Sequence, residues 1–101
     1  MKASKVIVAG WYLVDPEKRD KVVASFEALL LRARNAPGCI DFAVSADPVD
    51  PSRLNMFEFW RSEADLRAWR TVAKAPKGMP RIRRAEVQKH VVQKSGPPFG
   101  R

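Results

Sequence analysis

The sequence predicts one α+β domain, in which a four-stranded antiparallel sheet carries two helices on one face. Four stretches rich in β-branched and aromatic residues indicate strands, and two stretches with apolar residues every three or four positions indicate helices. They follow one another in the order β-α-β-β-α-β. The length of 101 residues is that of a single domain.

The first strand is predicted over residues 5–14, and both of its faces are apolar. One face carries Val6, Val8, Tyr12 and Val14, and the other carries Ile7, Ala9, Trp11 and Leu13. One layer of helices can cover only one face of a sheet. The second apolar face therefore needs a cover from elsewhere.

The first helix is predicted to begin at Asp15 and Pro16, which suit the N-cap and the first helical position. Its apolar stripe consists of Val22, Phe26, Leu29, Leu30 and Ala33. Residues 35–38, Asn-Ala-Pro-Gly, end it, because asparagine and glycine tolerate left-handed turns and proline cannot continue a helix. We therefore expect one helix between the first two strands.

The middle of the chain predicts a hairpin followed by the second helix. Residues 39–46 and 54–60 are predicted strands, joined by a stiff loop over 47–52 that contains two prolines. Ser62 then suits a helix N-cap. The apolar face of this second helix consists of Leu66, Trp69 and Ala73.

The last strand is predicted over residues 82–94, which completes a domain spanning 1–94. Residues 95–101 have no periodicity, and we expect them to form a flexible tail. The strand order is that of ferredoxin-like domains, whose helices leave one sheet face uncovered. Two copies that packed these apolar faces together would close a barrel-like dimer, so we expect a homodimer, a dimeric α+β barrel.

The charge and the cysteine content narrow the possible classes of protein. The net charge is +8, and a basic surface of this size attracts anions. No apolar run approaches the roughly 18–20 residues that span a bilayer, so we expect no membrane partner. With Cys39 as its one cysteine, the chain can form no intrachain disulfide, and we expect a cytoplasmic protein. No cluster of histidine, cysteine and acidic residues has metal-ligand spacing.

Three motifs carry a resemblance to a known family. They are Pro37-Gly38-Cys39, the loop Asp47-Pro48-Val49-Asp50-Pro51-Ser52-Arg53, and the junction Glu58-Phe59-Trp60-Arg61-Ser62-Glu63-Ala64-Asp65-Leu66. In this order they resemble the antibiotic biosynthesis monooxygenase family, over residues 5–94. The resemblance implies a dimeric α+β barrel and a cofactor-independent oxygenase acting on quinols or anthrone-like polyketides, although relatives also degrade haem. Members often carry a histidine nine positions after the junction tryptophan, where this chain has Trp69.

The resemblance implies a substrate pocket between sheet and helices, with no cofactor and no metal. Six aromatic residues are candidates for its walls: Trp11, Phe42, Phe57, Phe59, Trp60 and Trp69. The alternative interpretation is that these residues belong to the hydrophobic core and line no pocket. Its polar groups are predicted among Asn55, Glu58, Arg83 and His90. The alternative interpretation is that these side chains face solvent or have structural roles. The predicted catalytic residues are Asn55, Trp60 and His90, and the predicted substrate-binding residues are Trp11, Phe42, Phe57, Glu58, Trp69 and Arg83.

Three functional classes follow from these observations. The first is a cofactor-independent monooxygenase of small aromatic, quinol or polyketide-like substrates. The second is a non-catalytic dimeric protein that binds a small aromatic molecule in the same pocket, which Trp69 favours. The third is a nucleic-acid binder, suggested by the charge and the strand order. The sequence argues against the third, because it lacks the Lys/Arg-Gly-Phe motif of RNA-recognition domains.

Overall fold

The computed structural model describes residues 3–100. Its elements are β1 (Val6–Leu13), α1 (Arg19–Ser25), α2 (Glu27–Arg34), β2 (Cys39–Ala46), β3 (Arg53–Trp60), α3 (Glu63–Val72) and β4 (Arg84–Val91). The sheet order is β2-β3-β1-β4, and all three pairings are antiparallel. The predicted α+β, ferredoxin-like fold is therefore confirmed. Met1, Lys2 and Arg101, at the ends of the predicted domain and tail, lie outside the described residues.

The first helical segment differs from its prediction, because it is two helices rather than one. A turn at Phe26, whose amide donates to the carbonyl of Val23 at 3.1 Å, separates α1 from α2. Asp15 is not the N-cap, because it closes a turn before α1 by accepting from the Glu17 amide at 3.0 Å. The predicted apolar stripe nevertheless crosses the break, with Val22, Phe26, Leu29 and Ala33 all buried.

The alternation of side chains along the central strands divides the sheet into two faces. The face toward the helices carries Val6 and Val8 of β1 and Leu54 and Trp60 of β3, all of which belong to the core. We call the opposite side the open face, and it carries the odd-numbered residues of β1 and β3. The half-buried side chains of these strands on the open face are Ile7, Ala9, Trp11, Leu13, Arg53, Asn55, Phe57 and Phe59.

Two of the three motifs that carried the family resemblance, the Pro37-Gly38-Cys39 turn and the junction that follows Trp60, meet at the end of β3. The backbone amide of Arg61 donates to the carbonyl of Gly38 at 2.8 Å, and Ser62 Oγ accepts from the amide of Asp65 at 3.1 Å as the N-cap of α3. Gly38 has φ +82°, and a Cβ there would lie 2.2 Å from Asp65 Cγ. These motif residues therefore hold the β2–β3–α3 junction together rather than lining a pocket.

No helix within residues 3–100 is long and apolar enough to cross a membrane.

Candidate functional site

An apolar cavity of about 280 Å³ lies between the sheet and the helices. Its lining side chains are almost all hydrophobic, and they are Tyr12, Val14, Phe26, Leu29, Phe42, Leu54, Met56, Trp69, Ala73, Ala75, Met79 and Ile82. The volume is near the lower end of that of small-molecule sites, and apolar lining with few polar groups is typical of them. The cavity is therefore the candidate binding site of this chain.

One wall of the cavity has no regular secondary structure. Residues 73–83, which we call the cover loop, connect α3 to β4 without helix or strand. Ala73, Ala75, Met79 and Ile82 of this loop line the cavity. Because the other walls belong mainly to the sheet and the helices, the cover loop is the part of the enclosure that depends least on backbone hydrogen bonding.

Three aromatic rings form one end of the enclosure. Trp69 of α3 stacks on Trp60 of β3 with ring centroids 6.2 Å apart and an interplanar angle of 28°. Phe42 of β2 meets both indoles edge-on, at 6.2 Å from Trp69 and 6.5 Å from Trp60. Phe42 and Trp69 line the cavity, whereas the fully buried Trp60 lies behind them. The cluster thus presents a rigid aromatic surface to a ligand.

Tyr12 supplies the hydroxyl group of the cavity wall. Its Oη donates to Sδ of Met56 at 3.7 Å, and a thioether is a weak acceptor. Burial raises the pKa of the Tyr12 phenol above its ordinary value of 10.0, and the charge of Glu58 raises it further. Tyr12 is therefore a neutral hydrogen-bond donor at physiological pH, and a ligand oxygen can replace the sulfur as its acceptor.

Glu58 is a buried carboxyl group on the same face of the sheet. It is 8% exposed, and its Oε1 accepts from Nε1 of Trp60 at 3.0 Å. Burial raises the pKa of Glu58, while the hydrogen bond from Trp60 and the charge of Arg70 partly oppose the increase. Glu58 does not line the cavity. Its carboxyl instead fixes the orientation of the Trp60 indole, against which Trp69 stacks.

The raised pKa of Glu58 predicts a pH-dependent stability. Between its ordinary pKa of 4.5 and the raised value, folded Glu58 keeps a proton that the unfolded chain releases. The free energy of unfolding of the wild type therefore falls as the pH rises through this window. Glu58→Gln keeps an acceptor for Trp60 and removes the titration, so its stability relative to the wild type should be greater at pH 7 than at pH 4. Urea unfolding at both pH values measures this, and a difference independent of pH would contradict it.

Four of the nine predicted site residues lie in or beside the cavity. Phe42 and Trp69 line it, and Trp60 and Glu58 support it from behind. The prediction that Trp11, Phe57 and Phe59 form walls between sheet and helices is wrong in placement, because the three side chains lie on the open face. The physical reason is the two-residue period of a strand, which sends Phe57 and Phe59 away from the side of Glu58 and Trp60.

The predicted polar residues Asn55 and His90 also lie away from the cavity. Asn55 is on the open face, where its Oδ1 accepts from Arg53 Nε at 2.6 Å and its Nδ2 donates to Asp47 Oδ1 at 3.0 Å. His90 is exposed on the edge strand β4, where it pairs with Ile7 of the open face. Asn55, Trp60 and His90 therefore do not form one catalytic group in a single subunit.

Trp11 and Arg83 contact other parts of the chain outside the cavity. Trp11 lies on the open face between two guanidinium groups, with Arg53 Cζ 5.2 Å and Arg84 Cζ 5.6 Å from the ring centroid. Arg83 is exposed at the end of the cover loop, and its amide donates to the carbonyl of Leu13 at 2.8 Å. Arg83 also lines a surface cleft together with Asp15 and Lys18.

Sequence reasoning missed Tyr12, Met56, Met79 and Ile82 as cavity residues. Met56 shares a strand face with the predicted residues Glu58 and Trp60, whereas Tyr12 lies on one of two apolar faces that the sequence does not distinguish. Met79 carried no sequence signal, since it lies in an irregular segment without periodicity. Ile82 was expected in the last strand, predicted over residues 82–94, whereas β4 spans Arg84–Val91 and leaves Ile82 in the cover loop.

In the part of the chain that the structure describes, no side chains are arranged to activate a thiol or to bind a metal ion. Cys39 is on β2 and His90 is on β4, at opposite edges of the sheet, so the imidazole cannot activate the thiol. Burial raises the pKa of the Cys39 thiol, with the charge of Asp41 adding to the increase. Within residues 3–100 no three histidine, cysteine or acidic side chains cluster as metal ligands do.

Comparisons with known proteins place the chain among proteins of the same architecture. A crystal structure assigned to the antibiotic biosynthesis monooxygenases, from Chloroflexus aurantiacus J-10-fl, superposes with a TM-score of 0.72 at 23% identity, covering 93% of this chain and 98% of the other. A heme-degrading protein of Mycobacterium tuberculosis, in its heme-free form, gives a TM-score of 0.68 at 18% identity, covering 94% and 98%. These structural similarities show that this chain shares its fold with both proteins.

Sequence comparison identifies the family. An uncharacterized protein of Synechocystis sp. is 31% identical over 61 residues, which are 60% of this chain and only 42% of that protein. The profile of the family named antibiotic biosynthesis monooxygenase matches residues 6–75. Because this match spans β1 to α3 and the start of the cover loop, the chain belongs to the antibiotic biosynthesis monooxygenase family.

Proposed function

We propose that this chain is a monooxygenase that binds a small aromatic, quinol or polyketide-like molecule in the apolar cavity and oxidises it with dioxygen, without a cofactor. The observation that carries the proposal is the phenol of Tyr12, which lies on the wall of a largely apolar enclosure and donates its hydrogen bond to a thioether. A substrate oxygen that replaced this sulfur would receive a stronger hydrogen bond.

The chemistry of such a reaction suits this environment. An electron-rich phenol or anthrone, once ionised, supplies the electrons that reduce dioxygen. In an anthrone, the ring CH₂ group is converted to C=O, one oxygen atom of dioxygen enters the product, and the other leaves as water with the two hydrogens of the CH₂ group. Tyr12 would donate to the phenolate oxygen and so lower the pKa of the bound substrate. The aromatic surface of Phe42 and Trp69 would hold the ring and exclude water from the reacting carbon.

Oxygen uptake with a panel of quinols and anthrones tests this function. We expect uptake above the uncatalysed background for at least one substrate, and a rate about 10- to 100-fold lower in Tyr12→Phe, which removes the hydrogen bond and keeps the ring. Thr71→Ala removes a hydroxyl from the exposed surface of α3 and serves as the matched control. Background uptake with every substrate, or an unchanged rate in Tyr12→Phe, would contradict the proposal.

A second candidate function is a non-catalytic protein that binds a small aromatic ligand in the same cavity. The observation that favours it is the absence of a general base from the cavity lining, where Trp69 stands in the position often held by histidine in the family. Saturable binding of an aromatic ligand together with background oxygen uptake would support this candidate over the oxygenase.

We also propose that two copies of the chain pair through their open faces. The central strands β1 and β3 place the large apolar side chains Ile7, Trp11, Phe57 and Phe59 in the middle of this face. The edge strands place polar side chains around them, such as Asp41 and Ser45 of β2 and Gln88 of β4. An apolar centre within a polar rim is the usual composition of a dimer interface. In this proposal residues 1–94 form the pairing domain, with 95–101 as a tail.

A further inference from the structure

Cationic side chains line two surface clefts beside the cover loop. The clefts have volumes of about 330 Å³ and 370 Å³. Their basic residues come from the start of α1 and from the cover loop, and we call them together the cationic rim: Lys18, Lys21, Lys77, Arg81 and Arg83. Met79 lines both the apolar cavity and the cleft of Lys21 and Lys77, so the rim adjoins the cavity.

The five basic residues of the rim outnumber the one carboxylate that lines the same clefts. All five side chains are exposed, and none has a carboxylate oxygen within 4.0 Å among residues 3–100. The one acidic residue in these clefts is Asp15, whose Oδ1 accepts from the Glu17 amide. Several like charges around a concave surface produce a positive potential that attracts anions.

The interior of the cavity is unsuited to a charged group, because no charged side chain lines it and its side-chain oxygen and nitrogen atoms are the Tyr12 hydroxyl and Nε1 of Trp69. An ionised carboxylate or sulfonate placed there would lose its hydration with little compensation. An anionic group on a bound molecule therefore has to lie outside the apolar lining, and the cationic rim is the adjoining surface that can hold it.

We infer that the ligand of this chain is an amphiphilic anion, with an apolar ring system that fills the cavity and a carboxylate, sulfonate or phosphate group held by the cationic rim. The inference rests on the proposed function, since it takes the cavity as the ligand site. Beyond the proposed function, the cationic rim would make the chain prefer anionic ligands over neutral ones, a preference that the apolar cavity alone does not provide.

Two probes of nearly equal shape test the inference, 2-naphthalenesulfonate and the neutral 2-naphthalenesulfonamide. We expect calorimetric titration of the full chain at low ionic strength to show the anion binding about tenfold more tightly or better, because several exposed cations each add a modest attraction. In the double variant Lys21→Gln/Lys77→Gln this preference should fall to about twofold or less. High salt should reduce it in the same way.

The control is Arg61→Gln/Lys94→Gln, which removes the same net charge at the far end of the sheet, next to Gly38 and to Lys5. It should keep the preference for the anion. Equal affinities for the two probes in the wild type, or an undiminished preference in the rim variant, would overturn the inference. Failure of both probes to bind would instead contradict the proposed use of the cavity, so the two failures are distinguishable.

Discussion

Replacing Gly10 with alanine is expected to cost more than about 3 kcal/mol of stability, or to detach β4 from the sheet. A Cβ at this position would lie 1.9 Å from the carbonyl oxygen of Glu86 and 2.7 Å from Cα of Val87. Both atoms belong to the backbone of β4, so no side-chain rotation relieves the overlap. The strands would have to separate where Gly10 pairs with Val87, in the middle of the β1–β4 ladder.

Gly78→Ala is the matched control for this experiment. Both glycines have a positive φ, +156° at Gly10 and +73° at Gly78, but nothing lies within 4 Å of a Cβ built at Gly78. Its replacement should therefore cost only about 1–2 kcal/mol, the strain of a left-handed backbone. Urea unfolding followed by tryptophan fluorescence compares the two variants. If Gly10→Ala proved no less stable than Gly78→Ala, the close approach of β1 and β4 would be wrong.

Phe57→Asp is expected to convert a homodimer into a monomer, with pairing weakened at least about 100-fold. Phe57 lies at the centre of the open face and pairs with Ala9 of β1 and Ala43 of β2. Its ring therefore stands between two small side chains and is free to enter a partner surface. In a symmetric dimer the substitution buries two carboxylates at the centre of the interface, where truncation of an aromatic residue alone already costs about 2 kcal/mol or more.

Sedimentation at micromolar concentration measures this effect. Leu31→Asp is the control, because it places the same charge on a 60% exposed apolar residue of α2, away from the open face. We expect the control to remain dimeric. A wild type that sediments as a folded monomer would contradict the proposed dimer. A Phe57→Asp variant that remains dimeric would show that pairing uses another surface.

The local elements of this protein were largely predictable from sequence. The bounds predicted for the second strand, 39–46, are those of β2, although a register shift between Cys39 and Asp41 interrupts its alternation. Ser62 is the N-cap that the sequence predicts. Such signals are local, since a period of two or a capping hydroxyl depends on neighbours within a few residues. The break at Phe26 was the exception, because the apolar stripe continues through it.

The sequence by itself determined which residues of each strand share a face, and it grouped Tyr12 with Val6, Val8 and Val14. It could not determine which face of β1 meets the helices, because both faces are apolar. Only the packing of α1, α2 and α3 decided that Tyr12 borders the cavity and that Trp11 lies on the open face. Likewise, Met79 and Ile82 line the cavity because the cover loop folds over it. The conformation of this loop depends on contacts between distant parts of the chain, which a local periodicity does not predict.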